Sequence, residues 1–212
     1  MATKTAIIYY SATGGTYKLA QAVAEGAREA GSEVRVLKVK ELAPEEAIAS
    51  NAGWGAHRAE TQDIPEATLA DLEWADVILL GSPTRYGLPA AQLKQFLDST
   101  GPLWGQGKLV NKFTGSFTSA ATQHGGQEST ILAMNNTFYH WGSIIVPPAF
   151  ADPIQFKVGN PYGVSFASNN GQTPPDEDTL ASARFQGRRT VEVATRFLSG
   201  SAGGATTGGD AS

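Results

Sequence analysis

The junction between the first predicted strand and the first predicted helix constrains the fold more than any other segment. Residues 5–10 form an almost unbroken apolar run, residues 11–16 follow with hydroxyl side chains and a pair of glycines, and a helical pattern then begins. A short apolar run is typical of a strand that is covered on both faces, as in a parallel sheet. The junction therefore predicts a strand–helix unit at the start of an α/β fold.

The first loop (residues 11–16) has the composition of an anion-binding loop. It consists of Ser11, Ala12, Thr13, Gly14, Gly15 and Thr16. Glycine lets the backbone approach a ligand, hydroxyl and N–H groups donate hydrogen bonds, and the helix directs its positive dipole end to the same point. Because the loop contains no lysine or arginine, it suits a phosphate that stays bound better than one that is transferred. A glycine pair is also common in a plain tight connection, so that alternative stays open.

Strand and helix patterns alternate along the rest of the chain. Further buried strands are predicted near residues 34–39, 77–80, 113–117 and 143–146. Helices are predicted between them, one opening at Pro89 and the last reaching Leu198. This alternation predicts an α/β fold with a doubly wound five-stranded parallel sheet, strand order 2-1-3-4-5 and helices on both faces. Ligands of such sheets bind at the carboxyl ends of the strands.

Composition limits the domain organisation and the function classes. The 212 residues fit a single domain, predicted over residues 1–198, and the Gly-, Ala-, Ser- and Thr-rich residues 199–212 predict a flexible tail. A net charge of −4 argues against a nucleic-acid partner, and no apolar run is long enough for a transmembrane segment. Without cysteine, disulfides and thiolate catalysis are excluded, which is compatible with a cytoplasmic location. Histidines without an HExxH motif indicate no metal site.

The second loop (residues 82–87) follows the third predicted strand and suits a flat ring. Pro83 stiffens the exit from the strand, and Thr84 offers hydrogen bonds to a polar ring edge. Arg85 supplies a positive charge beside that edge, and Tyr86 can cover a ring face. The same residues also occur in surface turns with a solvated arginine.

The third loop (residues 118–126) follows the fourth predicted strand and is small and polar. Its candidate ligand contacts are Thr118, Ser119, Ala120, Ala121, Thr122 and Gly125. Small residues let the backbone pass close to a ligand, although a plain flexible loop has the same composition. Three such loops at the ends of neighbouring strands favour one shared site.

Two segments are longer than ordinary connections. They are residues 41–64 and residues 147–173, and both contain aromatic residues. Aromatic side chains in a loop require cover, either from their own domain or from another subunit. Contact with another subunit is the interpretation favoured here.

Several motifs together resemble one protein family. The first loop resembles the flavodoxin loop that holds the phosphate of flavin mononucleotide (FMN). The wider set resembles the WrbA family of flavodoxin-like NAD(P)H:quinone oxidoreductases, over a match from Lys4 to Leu198. The motifs of that set are residues 83–87, 96–104, 125–130, 140–142, 161–163 and 183–187.

The resemblance implies a flavodoxin-like FMN-binding domain over residues 1–198, with NADH or NADPH as co-substrate and a quinone as substrate. It implies that residues 11–16, 83–86, 118–122 and Gly125 contact the cofactor. It also implies a homotetramer, or a dimer at lower concentration, in which neighbouring subunits complete the flavin pocket. Trp104 matches the tryptophan of the substrate pocket, and His140 matches a cofactor-binding histidine near the flavin. The alternatives are a core tryptophan and a structural histidine.

The function implied is an FMN-dependent NAD(P)H dehydrogenase (quinone), which reduces quinones to hydroquinones in a two-electron, ping-pong hydride mechanism. The chemistry takes place at N5 of FMN, and no protein side chain is certain to be catalytic. Arg85 is expected to act electrostatically by stabilising the negative charge of the reduced flavin. The competing hypotheses are a one-electron flavodoxin-type carrier and a regulatory or binding protein that retains FMN.

Overall fold

The computed structural model describes residues 2–203, with side chains up to residue 200. In chain order the strands are β1 (Lys4–Tyr9), β2 (Glu33–Lys38), β3 (Val77–Arg85), β4 (Leu88–Pro89), β5 (Phe113–Ala120), β6 (Ile144–Ile145) and β7 (Ser165–Ala167). The helices are α1 (Gly15–Glu29), α2 (Glu45–Ala49), α3 (Ala52–Glu60), α4 (Leu69–Trp74), α5 (Ala91–Asp98), α6 (Gly101–Gly105), α7 (Gln127–Trp141), α8 (Pro153–Val158) and α9 (Glu177–Gly203).

A parallel sheet in the order β2-β1-β3-β5-β6 forms the centre of the protein. Ile7 of β1 lies opposite Val36 of β2 on one side and Leu79 of β3 on the other. Since β5 and β6 correspond to the fourth and fifth predicted strands, the predicted order 2-1-3-4-5 and the doubly wound α/β class are confirmed.

Alternate residues of the strands contribute to two separate hydrophobic cores. Ile8 and Leu80 pack with residues of α5 and α7 on one face of the sheet, whereas Ile7 and Leu79 pack with α1 and α9 on the other. Successive strand side chains point to opposite faces, so a run that is apolar at every position is buried on both. The helices therefore cover both faces, as predicted.

The sheet contains seven strands among residues 2–203, so the prediction of five is wrong in number. The short strand β4 pairs antiparallel with the end of β3. The predicted fifth strand is reduced to β6, which pairs with Phe113 and Thr114 at the start of β5, and β7 pairs with the last three residues of β5. Pro147 and Pro148 end pairing after β6, because proline has no N–H to donate to a ladder.

The two long segments contain secondary structure that was not predicted. Residues 41–64 include α2 and α3, and residues 147–173 include α8 and β7. Side chains cap two of these helices, since Asn51 accepts from Trp54 N and Asp152 accepts from Ile154 N. The helix expected to open at Pro89 begins instead at Ala91, because Pro89 pairs with Thr84 in β4.

The third and fourth strands are longer than predicted, and so is the last helix. β3 continues to Arg85 and β5 to Ala120, so parts of the predicted second and third loops are strand. Helix α9 continues to Gly203, beyond the predicted domain boundary at residue 198. Residues 204–212 of the predicted tail lie outside the described residues.

Two kinds of site are absent from residues 2–203. No helix in this range is both long and apolar enough to cross a bilayer. The same range contains no group of three or more His, Cys, Asp or Glu side chains arranged to hold a metal ion.

Candidate functional site

The three predicted loops meet around one cavity of about 640 Å³, here called the first cavity. It lies beyond the carboxyl ends of β1, β3 and β5, where the strand order reverses between β1 and β3. Most of the predicted contact residues line it: Ser11, Ala12, Thr13, Gly15, Thr16, Pro83, Thr84, Arg85, Tyr86, Ser119, Ala120, Ala121, Thr122 and Gly125. The structure thus brings together residues that are distant in the sequence.

The first loop presents the start of α1 to this cavity. Gly14 is the N-cap residue, with φ of 92°, and no side chain caps the helix. The N–H groups of the first helical turn have no acceptor within a helix, so they stay available to a ligand. Gly14 N itself donates to Ser11 Oγ at 3.1 Å, which closes the loop into a tight turn. This geometry suits an anion.

Gly15 lies at a close contact between the first loop and β7. A Cβ at this position would lie 2.9 Å from Phe166 Cζ, well inside normal contact distance. Glycine therefore lets the first loop pack closely against Phe166 of β7.

The second loop is a tight hairpin rather than an open turn. Tyr86 and Gly87 both have positive φ, 55° and 79°, and connect β3 to β4 as a two-residue turn. Gly87 N donates to Thr84 Oγ1 at 3.1 Å, and Thr130 of α7 bonds the same oxygen at 2.7 Å. The Tyr86 ring is fully exposed, and within residues 2–200 Arg85 Nη1 donates to the carbonyl oxygen of Thr84 at 3.0 Å. Both side chains thus extend from a fixed backbone.

Hydrogen bonds from helix α7 hold the third loop in place. Gln127 Nε2 donates to the carbonyl oxygens of Thr122 and Gln123, at 2.9 and 3.1 Å. Thr118 is buried, and its hydroxyl donates to Ser82 O at 2.6 Å. Contrary to the prediction, its side chain therefore does not line the first cavity. The hydrogen bond of Thr118 instead joins β5 to β3.

Five residues that were not predicted as contacts also line the first cavity: Asn51, Trp54, Ser168, Asn170 and Gly171. Asn169, Asn170 and Gly171 all have positive φ, and an Asn-Asn-Gly sequence is a signal for such a turn. Ser168 Oγ donates to Ala120 O at 3.0 Å, which joins this turn to the third loop. No local sequence signal places Trp54, because its position depends on a contact with Glu41.

Glu41 fixes the wall that contains Trp54. Its carboxylate accepts from Trp54 Nε1 at 3.1 Å, from Tyr10 Oη at 3.0 Å and from Gln92 Nε2 at 2.7 Å, and also from two backbone N–H groups. Burial alone would raise the pKa of Glu41, but these hydrogen bonds outweigh it and lower that pKa below its usual range. Burial and the neighbouring Glu41 carboxylate raise the pKa of Tyr10, which keeps its hydroxyl protonated.

Trp104 and His140 line a different, second cavity of about 600 Å³ between α5, α6 and α7. Trp104 Nε1 donates to the carbonyl oxygen of His140 at 2.8 Å. Trp104 is 57% exposed, so the alternative of a core tryptophan is wrong. Within one chain His140 does not reach the first cavity, and the prediction that places it near the flavin would require a neighbouring subunit.

A family model described as NADPH-dependent FMN reductase matches residues 3–157. The chain belongs to this family. A relative from Deinococcus radiodurans, named NAD(P)H dehydrogenase (quinone), is 47% identical over 196 residues, which cover 92% of this chain and 97% of the relative. A relative of the same name from Sinorhizobium fredii is 45% identical over 200 residues, covering 92% and 98%.

The structure is also similar to a solved member of the group that the sequence motifs indicated. A WrbA-like flavodoxin from Agrobacterium tumefaciens superposes with a TM-score of 0.65 at 25% identity, covering 92% of this chain and 99% of that chain. These similarities confirm that the chain resembles the WrbA family, as its sequence motifs predict.

Proposed function

We propose that this chain is an FMN-dependent NAD(P)H dehydrogenase that reduces quinones. The observation that carries the proposal is the first cavity, in which an uncapped helix start, a hairpin with an exposed arginine and a glycine-containing loop meet. Its volume of about 640 Å³ lies within the range of about 300–1,000 Å³ that small-molecule cofactor sites occupy. Bound FMN supplies hydride and electron transfer, which side chains cannot carry out.

The residues present fit FMN by their chemistry. Residues 11–16 offer N–H and hydroxyl donors to a phosphate, and Gly15 lets the first loop pack closely against Phe166 while it lines the first cavity. Thr84 and the backbone of residues 119–122 would bind the polar edge of the ring system. Arg85 would hold a positive charge beside that edge and stabilise the reduced state of the cofactor.

One open cavity serving two substrates in turn would support a ping-pong order. NAD(P)H would bind over the cofactor and leave in its oxidised form before a quinone takes the same place. Tyr86, which is fully exposed at the hairpin turn, would contact either flat substrate ring. The product is the hydroquinone, formed by transfer of two electrons and two protons.

We further propose a homotetramer, with a dimer at lower concentration. Large apolar side chains are exposed on the surface that carries the second cavity and on the 147–173 segment, including Trp104, Tyr139 and Phe156. Such side chains are typical of interfaces between subunits. In the assembly, Trp104 and His140 of one subunit would complete the first cavity of another. A cytoplasmic location stays a prediction.

Rapid mixing of the FMN-loaded protein with NADH or NADPH under anaerobic conditions tests the function. We expect bleaching of the flavin absorbance, followed by recovery when benzoquinone is added, and parallel lines in double-reciprocal plots of steady-state rates. Intersecting lines would contradict the ping-pong order. A protein that accepts electrons only from one-electron donors would be a carrier, and one that is not reduced at all would have a binding or regulatory role.

A further inference from the structure

A histidine packs directly against the first loop from outside the first cavity. His57 of α3 is 5% exposed, and a Cβ on Gly14 would lie 3.4 Å from His57 Nδ1. The imidazole therefore lies beside the loop that presents the start of α1, at the place that a side chain on residue 14 would reach. His57 and Ser11 also line a third cavity of about 370 Å³ that adjoins the first cavity at Ser11 and Trp54.

Charged and aromatic side chains of α3, α1 and β2 surround the imidazole of His57. On α3 itself, Glu60 Oε2 lies 3.3 Å from Nδ1, and Arg58 is engaged with Glu45. From α1, the Tyr17 ring packs at a centroid distance of 5.3 Å, and Lys18 faces the imidazole at longer range. From β2, Lys38 donates to Thr61 O at 2.6 Å and also faces it. The Tyr9 ring packs behind Tyr17, and its buried hydroxyl has no partner among the residues described.

These surroundings favour the neutral imidazole when the loop holds no anion. Burial lowers the pKa of His57, the Glu60 carboxylate acts in the opposite direction, and Lys38 and Lys18 lower it further. An anion in the first loop would add a negative charge on the other side of the loop backbone. That charge favours the protonated imidazole.

We propose that His57 supports cofactor binding electrostatically from behind the first loop, by taking up a proton when a phosphate monoester occupies that loop. The imidazolium then supplies the positive charge that residues 11–16 lack, with Glu60 holding the Nδ1–H. The inference rests on the proposed function, because the phosphate monoester is that of FMN. It implies that binding of FMN is linked to proton uptake by His57, so acidification strengthens binding by the wild type relative to a variant without His57.

The direct test is NMR of the imidazole protons in the wild-type protein with and without FMN. The chain has 3 histidines, and the spectrum of His57→Gln assigns the signal of His57. We expect the pKa of His57 to rise when FMN binds and to stay unchanged with riboflavin, which lacks the phosphate. A His57 pKa that is the same in the free and the FMN-bound protein would overturn the assignment.

The second test compares FMN dissociation constants from fluorescence titrations at about pH 5.5 and about pH 8.5. The wild-type protein should gain up to about tenfold more affinity on acidification than His57→Gln, because ionisation of the FMN phosphate itself contributes equally to both. Glu192→Gln, at an exposed position on α9 outside the first cavity, should follow the wild type. If all three proteins bind FMN with the same pH dependence, the role of His57 is refuted but the proposed function is not. If none of them binds FMN, the proposed function is refuted as well.

Discussion

The hydroxyl groups of Thr16 and Ser119 lie 2.9 Å apart in the interior of the protein, although the two residues are 103 positions apart in the sequence. Thr16 belongs to the first turn of α1, and Ser119 is near the end of β5. Both residues are buried, and both line the first cavity. This hydrogen bond therefore fixes the first loop relative to the third loop and sets the width of the cavity between them.

Substitution Ser119→Ala should weaken both stability and FMN binding. It leaves the buried Thr16 hydroxyl without its partner, which typically costs about 1–3 kcal/mol. Urea denaturation measures the free energy of unfolding, and FMN fluorescence measures binding. The control Ser199→Ala, on the exposed surface of α9, should change the free energy of unfolding by less than about 0.5 kcal/mol. Equal effects of the two substitutions would show that the contact with Thr16 contributes nothing.

Substitution Gly15→Ala should reduce FMN affinity at least about tenfold, equivalent to ~1.4 kcal/mol. The new Cβ would lie 2.9 Å from Phe166 Cζ, so either the loop or the ring must move. The matched control is Gly55→Ala in α3, where a Cβ meets no atom within 4 Å. Isothermal titration calorimetry with FMN compares the two variants, and wild-type affinity in Gly15→Ala would contradict a phosphate site at this loop.

Substitution Arg85→Ala should lower the midpoint potential of the bound flavin. Removal of a positive charge beside the cofactor destabilises its reduced, negatively charged form by an expected ~1.4 kcal/mol, or about 30 mV for a two-electron couple. Arg85→Lys keeps the charge and should stay close to the wild type. Stepwise reduction with dithionite against a reference dye measures the potential, and an unchanged value in Arg85→Ala would remove this residue from the proposed role.

Substitution Glu41→Gln should destabilise the protein at neutral pH and much less in acid. Because the folded-state pKa of Glu41 is lower than its ordinary value of 4.5, its contribution is fully present above pH 4.5 and is lost as the pH falls through the folded pKa. An amide cannot accept all the hydrogen bonds of the carboxylate, so we expect a loss of about 1–3 kcal/mol at pH ~7. Urea denaturation over a pH series measures the difference from wild type.

The control for this prediction is Glu45→Gln, which removes an exposed ion pair with Arg58. Exposed pairs contribute about 0–1 kcal/mol, so this variant should stay near the wild type at every pH. A gap between Glu41→Gln and wild type that stays constant from neutral to acid pH would show that the Glu41 charge is not involved.

The sequence predicted the central sheet and the position of the cavity for physical reasons that act locally. Runs such as residues 77–80 are apolar at every position, which only a strand covered on both faces explains. Each run that contributes to the site is followed by residues that suit close approach of a ligand, such as Gly14 and Gly15 after β1. Because parallel strands end at the same edge, the three loops had to meet.

The remaining features depend on contacts between distant residues. Helix α3 contains two glycines and would be a poor helix in isolation, but the Asn51 cap and the Glu41–Trp54 hydrogen bond hold it beside the first loop. Strand β7 is far from β6 in the sequence. Its three residues form a strand because they pair with Ser119 and the neighbouring residues of β5. The position of His57 against Gly14 follows from the same placement of α3, so no sequence pattern indicated it.

Titration of FMN with the purified protein, followed by the fluorescence of the flavin, is the measurement that tests the central claim most directly. The cavity between the three loops should bind one FMN per chain at micromolar concentration or tighter and quench its fluorescence to saturation. Riboflavin should bind more weakly, because it lacks the phosphate that the start of α1 would hold. Flavin fluorescence that does not change on addition of excess protein would contradict the account.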